Sequence, residues 1–329
     1  MIRNPSANPS TPDHRWRGYV SIAAAALCWG GAATLGKAVF TGRLLGSSQA
    51  VQPIDTLILT QTRVSFAFLI LTPLVLWRGG RAALRLPGSD IVRCFVLAVL
   101  GVAGSNFLYF WAIAKTSVAT AIILQYTAPV WVLLYLVARG RQRATTPRIT
   151  AVGAAVVGCA LVVGGHLRVN PAGVAAGLGA AFSFAFYNVY GYRLLARHDR
   201  WRVLVYTLFG ASLFWLLVNP PWKIAGAHYS ASQWIFLLLF SLVSVLLPFS
   251  FYFAGLQYLD ATRAIVTSCL EPVFAIVLAA AFVGESLEPV QVAGIGVVLM
   301  ATLLVQVSAR RGRARPNEVH LSVAEPNGR

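Results

Sequence analysis

The stretch Tyr252-Phe253-Ala254-Gly255-Leu256-Gln257-Tyr258-Leu259-Asp260-Ala261-Thr262-Arg263 leads into an apolar run interrupted by Cys269-Leu270-Glu271-Pro272-Val273-Phe274. Gly284-Glu285, Pro289-Val290-Gln291 and Gly294 follow, within and before a last apolar run. A carboxylate beside a proline in the middle of such a segment is unusual. Hydrocarbon neither solvates a charge nor hydrogen-bonds a freed backbone group. The pattern also occurs earlier, where Tyr109-Phe110-Trp111-Ala112-Ile113-Ala114-Lys115 leads to Gln125-Tyr126-Thr127-Ala128-Pro129-Val130-Trp131. At a constant offset of 143 positions (272 − 129), Tyr109, Phe110, Ala121, Ile122, Pro129 and Val130 meet identical residues. The chain reads as one unit written twice.

Composition sets the medium. Hydrophobic residues make up 57% of the 329 and charged residues 11%, with a mean hydropathy of +0.69. That leaves too little polar surface for a water-soluble domain of this size. The apolar runs are near 20 residues, the length that crosses a bilayer as a helix. The expected fold is an all-α integral membrane protein. The net charge of +17 does not point to nucleic acid, because the arginines lie between apolar runs and not on an amphipathic surface. Positive-inside topology accounts for them better. Cys28, Cys94, Cys159 and Cys269 each fall within an apolar run without CxxC spacing, and read as packing residues. The first apolar run continues as a full span, against a cleaved leader, and Leu27 before Cys28 argues against a lipid-attachment site.

Ten spans are expected, at about 19–40, 57–77, 91–113, 118–137, 149–165, 171–195, 203–218, 233–256, 264–283 and 289–307. Alternating the loops across the membrane puts 21 of the 27 lysines and arginines on one side. Arg43, Lys115, Arg168 and Lys223 fall on the other, with Lys37 and Arg63 inside spans. The excess places both termini in the cytoplasm. Residues 1–17 read as a disordered tail, 18–165 and 171–308 as two five-helix repeats, and 309–329 as a basic, polar tail against anionic lipid. A second offset of 155 relates the first span to the sixth, pairing Gly18, Ala25, Ala26 and Gly36 with Gly173, Ala180, Ala181 and Gly191. Five spans per repeat is an odd number, so the second copy enters the membrane from the opposite face. Inverted repeats with a site near the midplane are a feature of secondary transporters.

With Trp29-Gly30 and Lys37, Thr62-Arg63-Val64, Tyr109, Pro129-Val130-Trp131, Leu270-Glu271-Pro272-Val273-Phe274, Gly284-Glu285, Gln291 and Gly294 in this order, the chain resembles the EamA-type exporters of the drug/metabolite transporter superfamily. The likeness covers about residues 18–307. The outer loop at 41–56 is longer than the family pattern and reads as an insertion. The resemblance implies export of small metabolites or amino acids across a bacterial inner membrane, without enzyme activity and without a cofactor.

Glu271 is the leading site candidate. A bare acid there costs at least roughly 2.5 kcal/mol even on a lenient insertion scale. It binds a substrate ammonium or carries a coupling proton, unless it only locks two helices together. Arg63 and Lys37 could draw a carboxylate to an outer vestibule; snorkelling is the plainer account for Lys37, while for Arg63, deeper in its span, neither account leads. Pro129 and Pro272 each remove a backbone donor and kink their helix, a pair of hinges at matching positions. Pro248 has no partner, since Ser105 takes its place, and reads as a simple kink. Gln125, Tyr187 and Asn188 read as cavity groups, with helix-to-helix hydrogen bonding as the other account. Trp29 and Tyr109 join them on the same terms. Gly173 and Gly177 suit close contact within the bundle, and homodimerisation is the less favoured use. Glu285 reads as a turn anchor, and His166, His198 and His228 offer no metal geometry. The competing functions are a nucleotide-sugar or sugar-phosphate exchanger, a passive facilitator and, more remotely, a membrane-embedded enzyme.

Overall fold

The computed structural model describes residues 12–40, 54–164, 170–284 and 286–311, with the side chains of 12–14, 36–40, 283 and 307–311 outside the described set. Ten helices in it are long and apolar enough to cross a membrane: Arg15–Leu35, Thr56–Gly79, Gly88–Lys115, Val118–Ala138, Thr146–Val163, Pro171–Leu195, Arg200–Val218, Ala231–Leu256, Ala261–Phe282 and Pro289–Gln306. They are spans 1 to 10 below. The arginine-rich end of the bundle carries Arg78–Arg93, Arg139–Arg148 and Arg193–Arg202; the opposite end carries Asp55, Lys115 and Lys223.

Polar residues close the helix ends where hydrocarbon gives way to water. The Asp55 carboxylate accepts from the amides of Leu57 and Ile58 at 2.8 and 3.1 Å, opening span 2. Asn170, Asp199 and Asp260 do the same for spans 6, 7 and 9, and Ser230 with Gln233 forms a capping box on span 8. Each such cap contributes about 1 kcal/mol. The first helix begins at Pro12, earlier than the expected tail boundary at 17. Proline suits a first turn, where its missing N–H would have no helical partner. The last helix likewise continues to Arg311.

The two repeats exchange their first helices. Span 1 packs on spans 8 and 9, and span 6 packs on spans 3 and 4. Spans 5 and 10 form the tightest pair. A Cβ on Gly158 would lie 2.9 Å from the Val298 nitrogen, and one on Gly294 would lie 2.6 Å from the Val162 nitrogen. The contact is reciprocal at a shift of 136 positions (294 − 158, 298 − 162), as a two-fold relation between repeats requires. Spans 2 and 7 pair on the other side of the bundle.

One pair of helix distortions obeys the same symmetry, whereas the π-helical Ala279–Val283 of span 9 has no counterpart in span 4. Span 3 is π-helical over Leu97–Ala103 and span 8 over Leu242–Leu246, and adding 143 to the first range overlays the second. Ser183 of span 6 donates to the Leu100 carbonyl at 2.6 Å within the first of these, so a side chain from the other repeat supports the widened turn. Pro248 therefore belongs to a distortion that both repeats share, although only one carries the proline. Just before Pro129 and Pro272 the regular helix is broken, over Tyr126 and Thr127 in span 4 and at the single residue Cys269 in span 9. Span 4 divides into Val118–Gln125 and Ala128–Ala138, and span 9 into Ala261–Ser268 and Leu270–Leu278. The break precedes each proline because the ring, tolerated in a first turn, opens the second half-helix instead of bending a continuous one.

Candidate functional site

Glu271 lies in the first turn of the second half of span 9, half-buried, one residue before Pro272. A half-helix N-terminus presents unpaired amides and a partial positive charge, which favours a carboxylate there. The matching break in span 4 carries Tyr126, and its hydroxyl interacts with the Glu271 carboxylate. Arg63 of span 2 acts on the same carboxylate by its charge from farther away; it is not among the direct ion pairs of the described residues. One Arg63 Nη donates to Asn106 Oδ1 at 2.9 Å, and Asn106 is itself held by the Val102 carbonyl at 2.7 Å. The Arg63 Nε is buried and has no hydrogen-bond partner. The charges of both Glu271 and Arg63 reach Tyr109, which completes a four-residue polar group from spans 2, 3, 4 and 9.

Span 1 closes this group from one side by backbone contact. Thr34 donates its hydroxyl to the carbonyls of Gly30 and Ala275, both at 3.0 Å. Immediately before Gly30, Trp29 packs its ring against Phe249 and Tyr252 with centroids 5.5 and 5.4 Å apart. Tyr252 in turn stacks on Tyr187 at 5.7 Å and donates its hydroxyl to Asn188 Oδ1. The Asn188 Nδ2 donates to the Phe184 carbonyl at 2.8 Å. Asn188 is wholly buried with both its groups satisfied, so in this conformation it ties span 6 to span 8 and does not present itself to a solute. Tyr187 is as deeply buried, yet its hydroxyl has no partner. Gln125 donates to Ser105 Oγ at 3.1 Å, linking span 4 to span 3. Arg63 and Tyr109 thus lie within electrostatic reach of Glu271, and Trp29, Tyr187 and Asn188 gather around Tyr252, which the charge of Glu271 also reaches. The Lys37 side chain, Glu285, His166 and the loop 41–53 lie outside the described residues.

Two cavities lie at the end opposite the arginines. One of about 320 Å3 is lined by Leu57, Phe107, Phe110, Trp111 and Trp215, with Phe110 5.7 Å from the Tyr109 ring. A polar one of about 350 Å3 is lined by Asp55, Asn219, Lys223 and Tyr229 among others, and Leu57 borders both. The arginine-rich end is tied across the repeats. Arg202 Nε donates to the Ala83 carbonyl at 2.8 Å, the Tyr206 hydroxyl to Leu84 at 2.8 Å, and His198 lies 3.0 Å from the Asp90 carboxylate. Thr262 donates to Gln142 at 2.8 Å on the same end. Tyr126, Asn106 and the Asp90–His198 contact were not legible as partners. Tyr126 did carry a signal, since it precedes Pro129 by three positions as Cys269 precedes Pro272.

The model of the EamA-like transporter family matches this chain twice, over residues 16–164 and 171–307. The chain belongs to that family. Its two matches cover the two halves whose first helices are exchanged. The EamA assignment is accompanied by relatives along most of the chain. The uncharacterized inner membrane transporter YicL of Salmonella typhimurium is 26% identical over 307 residues, 91% of this chain and 98% of its own length. An uncharacterized transporter of Archaeoglobus fulgidus is 28% identical over 76% of this chain and 86% of its own. The threonine/homoserine exporter RhtA of Escherichia coli K12 is 26% identical over 64% of this chain and 70% of its own. One crystal structure, 20% identical, superposes with a TM-score of 0.69 over 91% of this chain and 99% of that one, a likeness of fold. The protein is a ten-span membrane transporter of the EamA type.

Proposed function

We propose that the protein exports small amino-acid-like metabolites by alternating access, with the substrate held at the paired helix breaks. The carrying observation is Glu271 at the start of a half-helix, facing Tyr126 of the symmetry-related break. A carboxylate in low dielectric is a strong partner for a substrate ammonium, because the interaction is little screened there. The free Arg63 Nε on the same group suits a substrate carboxylate, so a zwitterion matches both ends of the cluster. Half-helix ends aimed at a midplane site are how transporters with inverted repeats hold charged solutes. The cavities beside Phe110 and Asp55 form the vestibule on the outer side, and the ties from Arg202, Tyr206 and His198 close the cytoplasmic side. Both termini are cytoplasmic in this reading.

The test is a metabolite screen on cells overexpressing the protein, followed by efflux from proteoliposomes loaded with the solute found outside. Accumulation of amino-acid-like compounds, with tolerance of their toxic analogues, is the expected result. Accumulation of sugar phosphates or nucleotide sugars alone would overturn it in favour of an anion exchanger, whose site would have to centre on Arg63.

A further inference from the structure

A second feature of the molecule faces the lipid. At the arginine-rich end of spans 4 and 6, two guanidiniums converge on one aromatic ring. Arg139 stands 5.8 Å from the Tyr135 centroid and Arg193 5.6 Å, and Arg193 also donates to the Tyr135 hydroxyl at 3.0 Å. Both arginines are exposed, and neither is in an ion pair with a carboxylate among the described residues. An anion bound beside this ring would offset the positive charge that the two guanidiniums bring to it. Trp131, one turn before Tyr135, stacks on the exposed Phe182 of span 6 at 4.1 Å. At 1.5 Å per residue, this pair lies roughly 12 Å along span 4 from Arg139, toward the bilayer interior. A cationic fork above an aromatic platform has the layout of a phospholipid, headgroup first and acyl chain below it.

We propose that Arg139 and Arg193 bind the phosphodiester of an anionic phospholipid whose acyl chain runs over Trp131 and Phe182. Guanidinium forks bind phosphate oxygens in pairs, and basic pockets between spans at the cytoplasmic surface take anionic headgroups. The repeat supplies an internal control. At the shift of 143, Trp131, Tyr135 and Arg139 correspond to Phe274, Leu278 and Phe282; at the shift of 155, Phe182 and Arg193 correspond to Leu27 and Ala38. The five equivalent positions are all apolar, and none of them carries a charge. The charge was placed at one face only, the face the positive-inside rule gives to the leaflet rich in anionic lipid. Arg139 also directly follows the half-helix Ala128–Ala138, so a lipid held there anchors a segment whose other end forms the break opposite Glu271.

The full chain, purified in detergent, is unfolded thermally with added phosphatidylglycerol, phosphatidylcholine or inorganic phosphate. Phosphatidylglycerol should raise Tm in a saturable way, while phosphatidylcholine and phosphate leave it unchanged. R139Q/R193Q should keep its Tm in phosphatidylcholine and lose the upward shift; R141Q/R143Q, which removes the same charge nearby, should retain it. A shift that survives in R139Q/R193Q, or that disappears equally in R141Q/R143Q, overturns the proposal. So does an equal shift with phosphate, which would assign the fork to a free anion. Native mass spectrometry of the parent is independent of any variant's folding. Phosphatidylglycerol should remain bound under conditions that strip phosphatidylcholine, and equal retention of the two overturns the site.

Discussion

A Cβ placed on Gly30 would stand 2.8 Å from the carbonyl oxygen of Glu271 and 2.7 Å from the Ala275 nitrogen, so span 1 crosses the acid-bearing half-helix backbone to backbone. Backbone atoms cannot swing aside as a side chain can. Gly30→Ala is therefore expected to cost about 1–3 kcal/mol of stability by overpacking and to reduce transport by displacing Glu271. Gly153→Ala, where nothing lies within 4 Å, is the control. Thermal unfolding of both variants decides the point: equal Tm values would mean that spans 1 and 9 separate freely.

Glu271→Gln keeps the shape and most hydrogen bonds but cannot ionise. The variant should insert and purify normally and lose net transport. If the carboxylate binds the substrate amine, counterflow between equally loaded sides should fall as well. If it carries a coupling proton, counterflow should survive, because that cycle never needs the empty carrier to release the proton. Rates and pH dependence like the parent's in both assays would reduce Glu271 to a helix tie.

Tyr187 and Asn188 are neighbours with opposite expected behaviour. Asn188→Leu removes the buried acceptor of the Tyr252 hydroxyl and should cost about 1–3 kcal/mol. Tyr187→Phe removes a hydroxyl that bonds nothing, so Tm should stay near the parent's. Loss of substrate affinity in Tyr187→Phe at unchanged Tm would place that hydroxyl on the substrate. Unchanged affinity would leave it a packing residue.

Pro129→Ala and Pro272→Ala give each half-helix an amide able to reach back across its break. Both variants should fold, and transport should slow as the interruption heals into continuous helix. Parent-like rates in both would separate the breaks from the transport cycle.

Reporters fused at residues 85, 141 and 198 should read cytoplasm, and one at residue 226 the outside. An outside reading at 198 would reverse the vestibule and the ties assigned to the cytoplasmic end.

The architecture was legible because hydrocarbon imposes one rule on every residue of a span, and that rule survives in composition. The internal repeat was legible through prolines, glycines and aromatics in constant register, and Glu271 through its cost. The π-helical turns were not, since Leu97–Ala103 differs from ordinary helix in backbone path and not in side-chain type. Nor were the contacts of Tyr126 with Glu271 or of His198 with Asp90, which join residues more than a hundred positions apart. Depth in the membrane can be read from one span at a time. Which faces of two spans meet depends on the rotation of each about its axis, and near-uniform apolar helices record that rotation poorly.

The exchange of first helices sets a clock on biogenesis. The hydroxyl of Thr34 waits for the carbonyl of Ala275, 241 residues later in the chain. At ribosomal speeds that delay is roughly 10–50 s. Throughout it, span 1 stands in the bilayer with the glycine face meant for span 9 turned toward lipid or toward whatever helper the insertion machinery supplies. The first half of the protein is thus the first made and among the last completed, and a ribosome stalled before residue 271 leaves a membrane-embedded fragment that lacks the helix its own beginning was shaped to receive.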